Sequence, residues 1–167
     1  MTTHHLAQLN VGRLRAPADS PVVAEFMAAL DPINALAEAS PGFVWRFQTD
    51  EGNATAVKAF DDDLLILNMS VWESVEALAD YVYRSDHTAF LRRRREWFDK
   101  TDLPVVTMWW VPAGHIPTVA EALTRMEHLQ ANGPGPFAFS FRQPYAPPDD
   151  DGTAPARPAD DRDACPA

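Results

Sequence analysis

The stretch Leu64-Leu-Ile-Leu-Asn68-Met-Ser70-Val-Trp72-Glu-Ser74 decides how this chain is read. Its side chains alternate. Leu65, Leu67, Met69 and Val71 form one wholly apolar row, while Leu64, Ile66, Asn68, Ser70 and Trp72 form a second row in which polar groups stand beside an indole. A period of two in a run of β-favouring residues predicts a strand with two unlike faces. The apolar face is expected to meet helices, and the mixed face suits a pocket wall with a few placed polar groups. The polar residues are equally compatible with ordinary edge or interface contacts. Glu73-Ser74 then opens a helix that turns Val75, Leu78 and Val82 inward.

Towards the N-terminus, residues 6–14 read as a first strand in which Gln8 and Asn10 alternate with Leu9 and Val11. Ser20-Pro21 supplies an N-cap and a first-turn proline, and Val22, Val23, Phe26, Met27 and Leu30 share a helix face. Asp31-Pro32 is expected to restart that helix, and Ser40-Pro41-Gly42 to stop it. Over residues 43–49, Phe43, Trp45 and Phe47 alternate with Val44, Arg46 and Gln48, as in a strand covered on one side. Residues 50–53 read as a turn, and a short strand is expected over 55–60.

Towards the C-terminus, the helix after Ser74 continues or bends at Ser85-Asp86 into a segment reaching Lys100. Residues 105–111 form another strand. Thr118 and Glu121 have capping-box spacing at the start of a helix that ends at Asn132-Gly133-Pro134. Phe137, Phe139 and Phe141 alternate in a final strand. The order is β-α-β-β-α-β with an added α-β, an α+β ferredoxin-like split βαβ plan with helices on one face of an antiparallel sheet. The other face would hold Trp and Phe residues and need cover. A second copy is the simplest cover, so the expected assembly is a homodimer. Residues 1–145 form this domain, and the Pro-, Asp- and Ala-rich residues 146–167 are expected to be a disordered acidic tail.

Charge and composition exclude several function classes. The net charge is −10, and six Asp against two Arg in the tail leave the domain itself acidic. An acidic domain repels phosphate backbones, which argues against a nucleic-acid partner. No run of eighteen apolar residues exists to span a membrane. The start, Met1-Thr-Thr-His-His, lacks the regions of a secretory signal. Cys165 is the only cysteine, which removes intrachain disulfides and thiolate metal sites and suits a reducing cytoplasm. There is no HExxH, Gly-rich phosphate loop, GxSxG or EF-hand pattern.

Two residues of the segment from His87 to Lys100 stand out. At 100° per residue Phe90, Leu91, Trp97 and Phe98 converge, and His87 and Arg94 fall in the same arc, while Arg92, Arg95 and Glu96 point away. A guanidinium on an apolar face must be paired or reach water. Arg94 either snorkels or meets an internal partner, or it binds an anionic or carbonyl-bearing ligand. His87 is either a hydrogen-bonded, partly buried histidine or a base or ligand. Trp109-Trp110 puts one indole on each sheet face. His115 reads as a loop residue.

Several stretches carry a resemblance. Ser70-Val-Trp72-Glu-Ser74-Val-Glu-Ala-Leu78, followed by Tyr83-Arg-Ser85-Asp-His87-Thr-Ala-Phe90, resembles the antibiotic-biosynthesis-monooxygenase type of dimeric α/β barrel. Leu6-Ala-Gln-Leu-Asn10-Val-Gly-Arg13, Ala35-Leu-Ala-Glu-Ala-Ser40-Pro-Gly-Phe43, the four-arginine run with Glu96-Trp97, and Trp109-Trp-Val-Pro-Ala-Gly-His115 are similar to an uncharacterised bacterial branch of that superfamily, a domain of unknown function. The likeness spans residues 6–145. It implies a homodimer with a cavity between sheet and helices. The superfamily includes cofactor-free monooxygenases of aromatic polyketides, haem-degrading enzymes, haem-binding dehydratases and stress proteins. The residues matching functional positions are Asn10, Trp72 and His87. The four-arginine run departs from the better-known monooxygenases.

These readings combine into a small-molecule enzyme without a cofactor, acting on a mostly apolar, partly anionic substrate. His87 would serve as the acid-base group and Arg94 would stabilise an oxyanion or enolate. Asn10 and Asn68 would orient a carbonyl. Ser70 and Arg46 would add polar contacts, and Trp72, Trp45 and Trp109 or Trp110 would form aromatic walls. Two alternatives stand beside it: a non-catalytic ligand-binding or stress-associated dimer, and a haem protein with His87 as axial ligand.

Overall fold

The computed structural model describes residues 3–48 and 60–149. The chain runs β1 (His4–Leu14), a 3-10 turn (Pro21–Val23), α1 (Ala24–Glu38), β2 (Phe43–Arg46), β3 (Leu65–Trp72), α2 (Val75–Arg84), α3 (His87–Trp97), β4 (Phe98–Asp99), β5 (Val106–Pro112) and α4 (Val119–Asn132). The sheet is antiparallel, ordered β2-β3-β1-β5, with the short β4 pairing the end of β1. This is the ferredoxin-like split βαβ arrangement. The turn and short strand read over 50–59 lie outside the described residues, as does most of the tail.

The central pair sets the register for everything above it. Leu6 stands opposite Trp72, Gln8 opposite Ser70, Asn10 opposite Asn68 and Gly12 opposite Ile66, so the polar interruptions of both strands form one row across one face. Because the period is two, Ala7, Leu9, Val11, Leu67, Met69 and Val71 all fall on the other face.

That apolar face meets a helix, but not α1, α2 or α3. It packs with Trp109 and Val111 of β5 against Ala122 and Met126 of α4. The helix after Pro112–Pro117 is thus carried beneath the sheet, and helices lie on both faces rather than one. Both faces of the sheet are thus covered within the chain, and Trp109 on the α4 side is fully buried. The first three helices instead lie over the mixed face, where Leu6, Trp72 and Met108 join Ala37 and Leu78.

Local chemistry sets the helix ends. Ser74 accepts from the Ala77 amide (3.1 Å) and caps α2. Ser85 is extended and ends α2; its Oγ accepts from the His87 amide, so α3 is a separate helix starting at His87. That helix stops at Trp97 rather than Lys100, because Phe98 and Asp99 pair with Leu14 and Arg13. In α1 the helix runs through Pro32 without the expected restart. The final strand is absent. Only Phe139 bridges β5, exchanging both backbone bonds with Met108, and Pro134, Pro136 and Pro144 lack the N–H groups a longer ladder needs.

Gly42 explains the tight entry to β2. Its φ is +79°, and a Cβ there would stand 2.5 Å from the Cβ of Ala77 on α2. Only glycine tolerates both the left-handed backbone and that approach.

Candidate functional site

A cavity of about 280 Å³ lies between the mixed face of the sheet and α1, α2 and α3. Its floor follows β1 and β3. Asn10 and Asn68 are exposed despite sitting opposite each other in the two central strands, because the space above them is open. Its roof is more aromatic than the sequence alone discloses. Trp72 stacks on Tyr81 (centroids 5.1 Å, 24°), Tyr81 packs on His87 (4.9 Å, 38°), and Phe43 meets Trp72 edge-on (5.4 Å). At the other end Trp97 clusters with Leu14, Ile66, Phe90 and Phe98. Helix α3 therefore runs antiparallel to β3 over the cavity, with His87 above the Trp72 end and Trp97 above the Ile66 end. Arg94, two turns beyond His87 on the same helix, borders the same cavity.

The polar groups divide into held and free. Ser70 Oγ accepts from Gln8 Nε2 and from Trp72 Nε1, each at 2.8 Å, in a buried network that fixes the indole. Gln8 Nε2 also reaches Asn68 Oδ1 at 3.5 Å, the outer limit of a hydrogen bond. Arg46 donates from Nε to Glu38 at 2.6 Å. Tyr81 Oη donates to the Ile33 carbonyl (3.3 Å), and burial pushes its phenol well above the ordinary range. Arg94 is half-buried on the cavity wall, and among the described residues its guanidinium has no hydrogen bond and no ion pair. Its neighbours differ. Arg93 pairs with Glu25 and Glu96 and covers the Trp97 ring, and Arg92 and Arg95 are exposed.

His87 has a defined tautomer. Its Nδ1 lies 3.3 Å from the Val82 carbonyl, which can only accept, so Nδ1 carries the hydrogen and Nε2 holds a lone pair. Burial lowers its pKa, and the Val82 bond only partly opposes this. The ring is thus neutral near pH 7, with a basic nitrogen that no described residue occupies.

Of the residues singled out from sequence, Asn10, Arg46, Asn68, Ser70, Trp72, His87 and Arg94 border one cavity. Three tryptophans do not. A register shift between Phe43 and Trp45 puts Phe43 opposite Trp72 on the cavity face and Trp45 opposite Val71 on the other. Trp109 lies on the α4 face, donating to Glu121 (2.9 Å). Trp110 is on the cavity side of the sheet, but it donates to the Tyr145 carbonyl and is covered by the C-terminal segment. Glu121 therefore does not complete a capping box. Thr118 caps its amide, but the carboxylate accepts from Trp109 and contacts His115 (2.8 Å). Burial pushes the Glu121 pKa up, but the hydrogen bonds with His115 and Trp109, together with the nearby charges of His115 and Arg125, outweigh it and hold the group lower than usual.

Sequence reading missed Tyr81 and Asn34. Both were within reach of helical arithmetic, since Tyr81 lies three residues after Leu78, and Asn34 four after Leu30 and three before Ala37. Among the described residues no three His, Cys, Asp or Glu gather to hold a metal, and no helix is long and apolar enough to cross a membrane.

A family model described as "Domain of unknown function (DUF3291)" matches residues 5–154. No curated protein matches the chain in sequence. Similar solved structures include SnoaB, a cofactor-independent oxygenase from Streptomyces nogalater (15% identity, 67% of this chain and 95% of that one, TM-score 0.45). PA3566 from Pseudomonas aeruginosa is similar at 16% identity, over 69% of this chain and 98% of that one, with a TM-score of 0.45. A putative antibiotic biosynthesis monooxygenase from Nitrosomonas europaea is similar at 9% identity, over 71% and 97%, with a TM-score of 0.44. Similarity at this level says nothing about chemistry.

Proposed function

The chain belongs to the DUF3291 family, and from that premise we propose that it is a small-molecule enzyme of the antibiotic-biosynthesis-monooxygenase type, acting on a mostly apolar, partly anionic substrate. The observation that carries this reading is the guanidinium of Arg94, unpaired among the described residues and bordering an otherwise largely aromatic cavity. A cation left so on an apolar wall is poorly compensated until an anion arrives. Neutral His87 is the one cavity group with a free basic nitrogen suited to taking a proton near pH 7. Arg94 would hold the enolate or phenolate charge that follows, with Asn10 and Asn68 orienting the oxygen. Dioxygen would be the oxidant that the resulting anion reduces.

The reading includes a homodimer and a cytoplasmic protein. The motif resemblance and the lone Cys165 support them. The test is a panel of small aromatic acids and their neutral analogues, followed by quenching of tryptophan fluorescence and by oxygen uptake. Anions are expected to bind, at least one to be turned over, and Arg94→Met to weaken binding by roughly 2–5 kcal/mol. Binding without turnover of any member would favour a ligand carrier. Arg94→Met leaving every affinity unchanged would remove the reading.

A further inference from the structure

Along the cavity floor the opposed pairs Leu6–Trp72, Gln8–Ser70, Asn10–Asn68 and Gly12–Ile66 follow one another at steps of about 7 Å. The two ends of this row are closed differently. At the first, Trp72 is fully buried, and its indole is fixed by Ser70 and stacked on Tyr81. At the other, the wall is Phe98. It pairs with Leu14 of β1, and its ring leans diagonally back onto Gly12. A Cβ at position 12 would lie 2.6 Å from two carbons of that ring, so the ring rests on bare backbone. Gly12 stands inside β1 without a left-handed φ, so the strand's conformation does not call for glycine; the approach of the ring does. Phe26 of α1 meets the same ring edge-on at 4.9 Å, and Phe98 itself is half-buried and borders the cavity.

Taking this cavity as the substrate site, we propose that Phe98, seated on Gly12, is a specificity-determining residue that sets the length of the apolar carboxylate the cavity accepts. Arg94 stands one helical turn before Phe98, and its carbonyl accepts from the Phe98 amide, so the cation and the end wall belong to one end of α3. The anion sits on Arg94, and the apolar part lies along the floor until it meets the ring. Gly12 acts through Phe98: a methyl group added there pushes the ring into the cavity and shortens it.

Straight-chain carboxylates from butanoate to dodecanoate, kept below micelle formation, are titrated calorimetrically against the full chain. Affinity is expected to rise up to about fourfold per methylene and then to level off. In Phe98→Ala the limit should move to longer chains, by roughly three methylenes, into the space of the lost ring. In Gly12→Ala it should move to shorter ones. Gly12→Ala should have no further effect on the limit once residue 98 is alanine, which a merely destabilising change would not show. Should Phe98→Ala fail to fold, Phe98→Leu and Gly12→Ala carry the test, with smaller shifts in the same directions. An affinity that climbs without a limit, or a limit that none of these substitutions moves, overturns the inference alone and leaves the cavity a ligand site. No binding of any chain length to the unmodified protein at millimolar concentration overturns the inference and the proposed function together.

Discussion

The ring of Tyr81 lies 4.9 Å from the imidazole of His87, tilted by 38°, and covers one side of it. That contact, with the bond from Nδ1 to the Val82 carbonyl, keeps the histidine in place and away from water. Its electrostatic consequence is measurable.

Burial holds the His87 pKa below its ordinary value near 6.5. Above that value the residue is neutral in both folded and unfolded chains. As pH falls below it, the unfolded chain takes up the proton first, so stability drops until the folded histidine also protonates. The slope from this one group is at most about 1.4 kcal/mol per pH unit. Thermal unfolding from pH 7.5 to 5 should show it, and His87→Phe should flatten it. An unchanged slope would mean that the ring is already solvated.

Removing the Ser70 hydroxyl leaves two donors, the Gln8 amide and the buried Trp72 indole, without an acceptor. Ser70→Ala should therefore cost about 2–4 kcal/mol in urea unfolding. A cost below about 1 kcal/mol would show that water replaces the hydroxyl.

Arg94→Met is expected to behave oppositely. The guanidinium makes no hydrogen bond or ion pair among the described residues, so folding stability should move by less than about 1 kcal/mol. A larger loss would make the residue structural and weaken the case for an anionic ligand.

At Gly42, alanine would combine a left-handed backbone with a 2.5 Å approach to Ala77. Gly42→Ala should destabilise by roughly 2–4 kcal/mol. Denaturant unfolding with an unchanged midpoint would show that α2 can move aside.

A homodimer should appear in light scattering as twice the 18.5 kDa chain mass at micromolar concentration. Since α1, α2 and α3 lie over the mixed face and α4 over the apolar one, the dimer does not rest on an uncovered sheet, and a stable monomer would end the idea.

The positions of β1, α1, β2, β3, α2, β5 and α4 were legible in the sequence, though not the short β4 nor the absence of a final strand, and so was the composition of each face of β1 and β3, because these follow from periods of 2.0 and 3.6 residues that are local properties of the backbone. The arc holding Phe90, Leu91, Arg94 and Trp97 was likewise readable by counting. Long-range contacts decided the rest. Trp45 left the expected pocket because of an irregular register against β3, which a four-residue strand does not announce in its own sequence. Trp109 and Trp110 were assigned to opposite faces correctly, but what covers each comes from α4 and from the segment around Tyr145. The network in which Ser70 fixes the Trp72 indole depends on Gln8, 62 residues away, and on the folded position of that indole. Along β1 and β3 the sequence determined which side chains share a face. Only the tertiary structure decided which face lies beneath α4 and which borders the cavity, because a strand's periodicity says what its two faces contain and not what packs on them.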